Sequence, residues 1–305
     1  MSNQRPPSLD PIAAHRWSQL PVAADPDGSA WLHEEVARRM ETRLQWIVKT
    51  PKHWVHWAPV LGGIQAHKLL VARYPKSICH ALHVPASQLL LAKRNIAGAW
   101  WKPSDWGQAK TSFEVPMHPT QMVWANMALH MAADPQSLLS QWHSLLDVDG
   151  FLMFSCLGPD TLRELRTVYS ERGWGMPSHE FTDMHDWGDM LVGAGFAEPV
   201  MDMERITLSF SSPERLLAEL RGLGRNLSAH RFTGLRGRQW HQHLMQALLA
   251  LARPQEGGRL ILTFEVIYGH AFKPRPRAQM QAETTVSLDD MRQQLRGAHR
   301  QAPKL

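Results

Sequence analysis

At 305 residues, with 44% hydrophobic and 20% charged side chains, the chain can build one large domain with a sizeable core and is too apolar to be disordered throughout. No apolar run reaches bilayer-spanning length, residues 1–7 lack the apolar centre of a secretory signal, and two cysteines, Cys79 and Cys156, are too few for a disulfide framework. The expected setting is therefore a reducing cytoplasm, and the formal charge of +5 favours acidic partners.

Residues 1–28, rich in proline and small polar residues, read as a loose leader. Trp31, Val36, Met40, Leu44 and Ile47 then recur at helical spacing, and Pro51 ends that helix. An alternation of strands and helices follows: strand 53–57, helix 63–73, strand 77–83, helix 87–94 and a third strand at 96–101. Residues 102–119 look irregular, before strand 121–126, helix 135–146 and a buried strand 151–156. Thr161 and Glu164 have capping-box spacing for a helix to about residue 172, and another helix spans 183–192. A longer strand, 200–210, precedes Ser212-Pro213-Glu214, a cap and first-turn proline for a helix to Leu223. A basic, glycine-punctuated segment, a helix at 239–252 and a final strand at 260–268 complete the pattern. The tail from Lys273 reads as disordered apart from a short helix near 288–295.

This rhythm predicts an α/β protein with a mostly parallel sheet covered on both faces. The expected division is a flexible leader 1–28, a core 29–210, a helical and basic insertion 211–258, the last core strand 259–272 and the tail 273–305. In such sheets a ligand binds outside the carboxyl ends of the strands, where the first strand-to-helix turn is glycine-rich so that backbone can approach closely. Here the turn is Ala58-Pro59-Val60-Leu61-Gly62-Gly63: two glycines remain, Pro59 offers no N–H, and Val60 places a branched side chain at an approach position.

The second half carries a specific resemblance. Trp124-Ala125-Asn126-Met127-Ala128-Leu129-His130 with Asp134-Pro135 resembles the fourth-strand segment of the malonyl-acyl-carrier-protein O-methyltransferases of biotin synthesis, a class I S-adenosylmethionine-dependent family. Gly150 to Ser155, Gly158-Pro159-Asp160-Thr161-Leu162-Arg163-Glu164-Leu165, Asp183-Met184-His185-Asp186, Ala194-Gly195-Phe196, Pro199 to Glu204 and Tyr268 to Pro274 continue it. The resemblance implies a Rossmann-like, seven-stranded, mostly parallel sheet with a helical insertion before the last strand. The first hundred residues depart from that pattern. His56 stands where the family's first strand has an acidic residue, and His83 where its second strand ends in one.

On this resemblance the cofactor is S-adenosylmethionine and the expected cofactor-binding residues are Ala58, Gly62, Gly63, His83, Trp101, Asn126 and Leu129. Asn126 either binds a ligand through its amide or caps a strand end, while Gly62 and Gly63 either receive the ligand or let the next helix pack closely. The implied reaction is O-methylation of a carboxylate, such as a malonyl thioester on acyl carrier protein. A carboxylate with a pKa near ~4 is ionised at pH 7 and needs no general base. Arg163 and Arg166 are candidates for holding it, against the plainer role of a solvated helix face. The alternative is a catalytically inactive homologue that binds an acidic protein partner. The 17 histidines show no zinc-site spacing, and one basic loop, 230–238, is thin support for nucleic acid.

Overall fold

Four of the five residues of strand β1 (His53–Trp57) are buried, the pattern of a strand covered on both faces rather than one. A computed structural model describes residues 9–20, 30–97, 110–253 and 257–276. Up to Pro274 these belong to one compact unit; of a second unit, which begins at Arg275, only residues 275 and 276 are described.

Strand β1 pairs in parallel with β2 (Ile78–Leu82) on one side and with β4 (Thr120–Ala125) on the other. The sheet continues outward to β3 (Lys110–Ser112) beyond β2, and to β5 (Leu146–Leu157) beyond β4. Strand β8 (Arg259–Phe272) then runs antiparallel between β5 and the edge strand β6 (Ala197–Phe210). The order β3-β2-β1-β4-β5-β8-β6 is the expected mostly parallel sheet; a two-residue β7 (Ala252–Arg253) pairs with β8 as an addition.

Side-chain alternation along the central strands feeds two cores. Trp54, Met122, Trp124, Phe151 and Met153 point to one face, packed with α2 (Trp31–Arg43) and with Leu70 of α4 (Ile64–Arg73). Val55, Trp57, Val123, Ala125, Leu152 and Phe154 point to the other, against Leu139 and Trp142 of α6 (Pro135–Leu145) and Trp187 of α8 (Met184–Gly193). Trp54, Trp124 and Trp142 are 0% exposed and Trp187 2%. Each buries about 150–250 Å² of largely apolar surface, an upper estimate of about 4–6 kcal/mol apiece.

The structure corrects several expectations. The leader contains a helix, α1 (Pro11–Ser18), because Asp10 accepts from the Ile12 and Ala13 amides and Pro11 opens the first turn. Residue 96 is not strand: Ile96 ends helix α5 (Ala86–Ile96), β3 lies at Lys110–Ser112, and residues 98–109 fall outside the described residues. The helix expected at 63–73 is α4, and an unexpected short helical turn, α3 (Pro59–Gly62), precedes it across Gly63 at φ +125°.

The Thr161–Glu164 capping box does not form. The Thr161 hydroxyl donates to the Glu265 carbonyl and accepts from the Glu265 N–H, while Glu164 accepts from the Thr263 amide and hydroxyl. Those residues stitch α7 (Arg163–Glu171) to β8 instead. Ser212 does cap α9 (Pro213–Leu223), through the Arg215 N–H. Helix α10 (Arg238–Leu249) ends short of residue 252, which belongs to β7. The helix expected near 288–295 lies outside the described residues.

Candidate functional site

The turn after β1 is folded in on itself. Ala58, at φ 48° and ψ 53°, is left-handed where glycine would be unstrained, a cost of about 1–2 kcal/mol. Its N–H donates to the Leu82 carbonyl, and the N–H groups of Gly62 and Gly63 donate back to the Ala58 and Pro59 carbonyls. Val60 does not crowd the ligand side, as its approach position had implied. It is 0% exposed and packs with Ile64, Ala81, Ala92 and Ile96, between the turn and α5.

The two glycines have packing roles. A Cβ at Gly62 would lie 2.8 Å from the Asn126 carbonyl oxygen, and one at Gly63 would lie 2.9 Å from a Glu34 carboxylate oxygen. Glu34 reaches from α2 to accept from the Gln65 and Ala66 amides at 3.0 and 3.1 Å. The first turn of α4, which offers bare N–H groups in open nucleotide sites, thus already carries a carboxylate.

Asn126 ends β4 with its amide engaged by protein. Its Nδ2 donates to the His33 carbonyl at 2.8 Å and to the Gly62 carbonyl, and its Oδ1 accepts from Ser155 at 2.7 Å. The residue is 1% exposed, so it ties α2, the glycine turn and β5 together rather than presenting an amide to a ligand. His33 donates from Nδ1 to the Leu61 carbonyl at 2.6 Å, and burial brings its pKa down to about 4.

A cavity of about 380 Å³ opens over this network. Trp57, Ala58, Leu61, His83 and Asn126 form its floor and Asp134, Ser137 and Gln141 one side. His83, at φ 57°, stacks its ring on Trp57 with centroids 4.9 Å apart and planes 10° apart. Helix α1 crosses above through Ala14, Trp17 and Ser18. It is tied to the segment after α9 by Asp10 N–H to the Leu227 carbonyl and by an Asp10–Arg231 pair at 2.7 Å; the Arg225 guanidinium lies 5.4 Å from the Trp17 ring. Just past its other end, Ser87 and Gln88 donate to the carbonyls of Gln19 and Leu20. Gly62, Gly63 and Leu129 do not line this cavity: Leu129 is 0% exposed in the core beside Leu139 and Trp142. Trp101 lies outside the described residues.

A second cavity, about 220 Å³, adjoins the first, since Met131 and Leu223 line both. Its walls are the ends of β5 and α7, helix α9, and the buried pair His130 and His179. Arg163 points away, exposed and paired with Glu164 at 3.3 Å. Arg166 is half-buried behind Phe181 and does not line the cavity: Nη1 donates to the Pro159 carbonyl at 2.6 Å, while buried Nε and Nη2 have no partner among the described residues. Burial lowers its pKa from the ordinary arginine value, and a guanidinium in a protein remains a cation.

The late arginines divide. Arg225, Arg231 and Arg236 are engaged by backbone carbonyls, Asp10 or aromatic rings, whereas Arg221 and Arg238 are exposed, and their guanidinium groups make no hydrogen bond or ion pair among the described residues.

Comparison with known proteins fixes the family. The chain is 37% identical over 276 residues to a malonyl-acyl-carrier-protein O-methyltransferase of Laribacter hongkongensis, covering 85% of this chain and 89% of that protein. It is 38% identical over 261 residues to one of Gallionella capsiferriformans, covering 82% and 87%. The chain belongs to the malonyl-acyl-carrier-protein O-methyltransferase family. A crystal structure from Bacillus halodurans, assigned there provisionally as a methyltransferase, covers 79% of this chain and 100% of its own at TM-score 0.52 and 17% identity, which supports the fold. No family model matches the chain.

Family membership implies S-adenosylmethionine, and the first cavity agrees with it in place and size, lying at the carboxyl ends of β1, β2 and β4 and within the range of small-molecule sites, roughly 300–1,000 Å³. The Gly62 and Gly63 amides bond within the turn, so Trp57, Ala58, Leu61 and His83, which line the cavity, are the residues that would hold it. The stacked Trp57–His83 pair offers a flat apolar edge and one imidazole as hydrogen-bonding group.

The sequence reading missed α1, His33 and the His130–His179 pair. The α1 signal was present in Asp10-Pro11, an N-cap followed by a first-turn proline. The histidines carry no local signal, because their roles come from contacts distant in sequence. Among the described residues no group of three His, Cys, Asp or Glu could hold a metal, and no helix is long and apolar enough to cross a membrane.

Proposed function

We propose that the chain is an S-adenosylmethionine-dependent methyltransferase that esterifies the free carboxylate of a malonyl thioester presented by acyl carrier protein, in the cytoplasm. The observation that carries this reading is the pair of adjoining cavities, one for the methyl donor and one for the acceptor, sharing Met131 and Leu223. The relatives, named for this activity, support it at 37% and 38% identity.

When bound, S-adenosylmethionine supplies an electrophilic methyl group on a positively charged sulfur. The chain's own part is placement and dehydration. Helix α1 and the ties at Asp10 and Arg231 close the donor cavity from above, keeping water from the carboxylate and raising its nucleophilicity. Arg166 would bind the acceptor carboxylate through Nε and Nη2, adjacent N–H edges of one guanidinium that are buried without a partner among the described residues. A carboxylate has about four lone-pair sites, so a two-point grip leaves others for bond formation. No proton is transferred: the carboxylate is already ionised, and alignment replaces general-base catalysis. Arg221 and Arg238, exposed near the insertion, would meet the acidic surface of a carrier protein.

The test is calorimetric titration with S-adenosylhomocysteine, together with transfer of a labelled methyl group to malonyl-acyl carrier protein. Micromolar binding and a labelled ester are expected, and absence of heat at millimolar ligand refutes the reading. A second reading, an inactive homologue that binds an acidic partner, is favoured by Glu34 occupying the α4 amides and by His83 in place of a carboxylate. It predicts carrier-protein retention that weakens with salt, without cofactor binding.

A further inference from the structure

The second cavity is lined by an imidazole, His130, one ring nitrogen of which no part of the described fold uses. His130 is 6% exposed and sits on a short 3₁₀ turn, Leu129–Met131, directly after β4, next to the residue that separates the two cavities. Its Nδ1 accepts the Leu157 N–H at 3.3 Å. A backbone N–H can only donate, so Nδ1 is bare and the ring proton resides on Nε2. His179 is fixed in the same sense: its Nδ1 accepts from the Leu227 N–H at 3.4 Å, so its Nε2 donates to the His130 carbonyl at 3.1 Å. The neighbouring histidine therefore takes up the backbone of His130 and leaves its ring alone. Nε2 of His130 has no hydrogen-bond partner among the described residues, and the residue lines the cavity.

Leu157, Leu162, Leu165, Phe181, Leu217 and Leu220 give the wall an apolar stretch around the imidazole, and Ser178, Arg221, Arg225 and Asn226 are its other polar members. An unpartnered N–H in such a lining favours a ligand that brings an acceptor oxygen to it, because an unmatched donor there is unfavourable. Arg166 bears on which oxygen. The Phe181 ring centre lies 5.7 Å from that of His130 and 5.9 Å from the Arg166 guanidinium carbon, so a cation and a neutral donor flank the same ring. An ionised oxygen belongs with the cation, and an uncharged carbonyl oxygen with the neutral imidazole.

We propose that His130 Nε2–H recognises the thioester carbonyl of the methyl acceptor, so that the cavity distinguishes a 3-oxo thioester acid from an acid lacking that carbonyl. This rests on the acceptor cavity of the function proposed above and assigns its specificity. Burial, and the neighbouring His179 and His33, keep the His130 pKa well below 6.5, so the ring stays a neutral donor. No bond is made or broken at His130.

The experiment measures acceptor binding without the methyl donor. The full chain is titrated calorimetrically with a short-chain malonyl thioester and with the matching thioether acid, in which a methylene replaces the carbonyl. Wild type is expected to bind the thioester about ten-fold tighter, the value of one matched hydrogen bond. His130→Phe should remove that preference, and His130→Gln, which keeps an N–H donor, should retain most of it. Equal affinities in wild type, or a preference that survives in His130→Phe, would overturn the proposal. The wild-type ratio needs no variant, so it decides the matter even if His130→Phe does not fold. S-adenosylhomocysteine binding is measured separately: its absence alongside an intact thioester preference counts against the methyltransferase reading and leaves the carbonyl assignment standing.

Discussion

Lowering the pH from 7.5 to 5.5 should destabilise this protein by several kcal/mol before any carboxylate is protonated. His33, His67 and His179 are 4%, 3% and 4% exposed, and burial lowers each pKa from 6.5 to about 4. The sign follows from which state binds the proton. Between pH 6.5 and 4 the unfolded chain protonates these rings and the folded protein does not, so stability falls as the pH falls through that window. For one such histidine the two-state binding expression gives a loss of about 1.3 kcal/mol on going from pH 7.5 to 5.5, and thus about 4 kcal/mol for the three. His56 and His130, also buried and lowered well below 6.5, act in the same direction. Carboxylates do not confuse the measurement. Glu35, held at about 2 chiefly by its hydrogen bond to Arg38, contributes stability that is lost only below the ordinary glutamate range. Urea unfolding followed by tryptophan fluorescence at the two pH values, at fixed ionic strength, reads the difference directly. His67→Gln should shrink it by about 1.3 kcal/mol, one proton's share. A difference below about 1 kcal/mol would refute the argument, since it would mean that these rings reach solvent and titrate normally in the folded state.

Three further outcomes follow from the glycine turn and the α1 helix. Gly62→Ala should lower stability by about 1–3 kcal/mol and weaken S-adenosylhomocysteine binding, because its Cβ would press on the Asn126 carbonyl oxygen; thermal melting and calorimetry read both. Val60→Gly should give no gain in cofactor affinity and should lose about 2–3 kcal/mol, since the side chain fills the cluster under α5; a tighter ligand would show that it obstructs the site after all. Asp10→Ala removes both the α1 cap and the tie to Arg231, so cofactor affinity should fall several-fold while the melting temperature of the sheet domain barely moves. An unchanged affinity would show that α1 does not close the cavity.

Much of this molecule was written in local pattern. The order of strands and helices, the Ser212 cap, and the two-faced burial of β1 follow from spacing, prolines and apolar runs, which act over a few residues. The motifs around Asn126 and Asp160 carried the family. What the chain could not reveal by itself was how each side chain is used once distant segments meet. Asn126 looked ready to meet a ligand, yet its partners, His33, Gly62 and Ser155, come from three separate elements. Val60 looked obstructive in the turn, but a helix 26 or more residues further on receives it. Thr161 and Glu164 matched a local cap and were taken instead by β8, about a hundred residues later. Likewise the free edge of His130 exists only because Leu157 and His179 occupy the rest of the residue. Hydrogen-bond capacity is finite, and which partner claims it is decided by packing across the sheet rather than by neighbours in the chain.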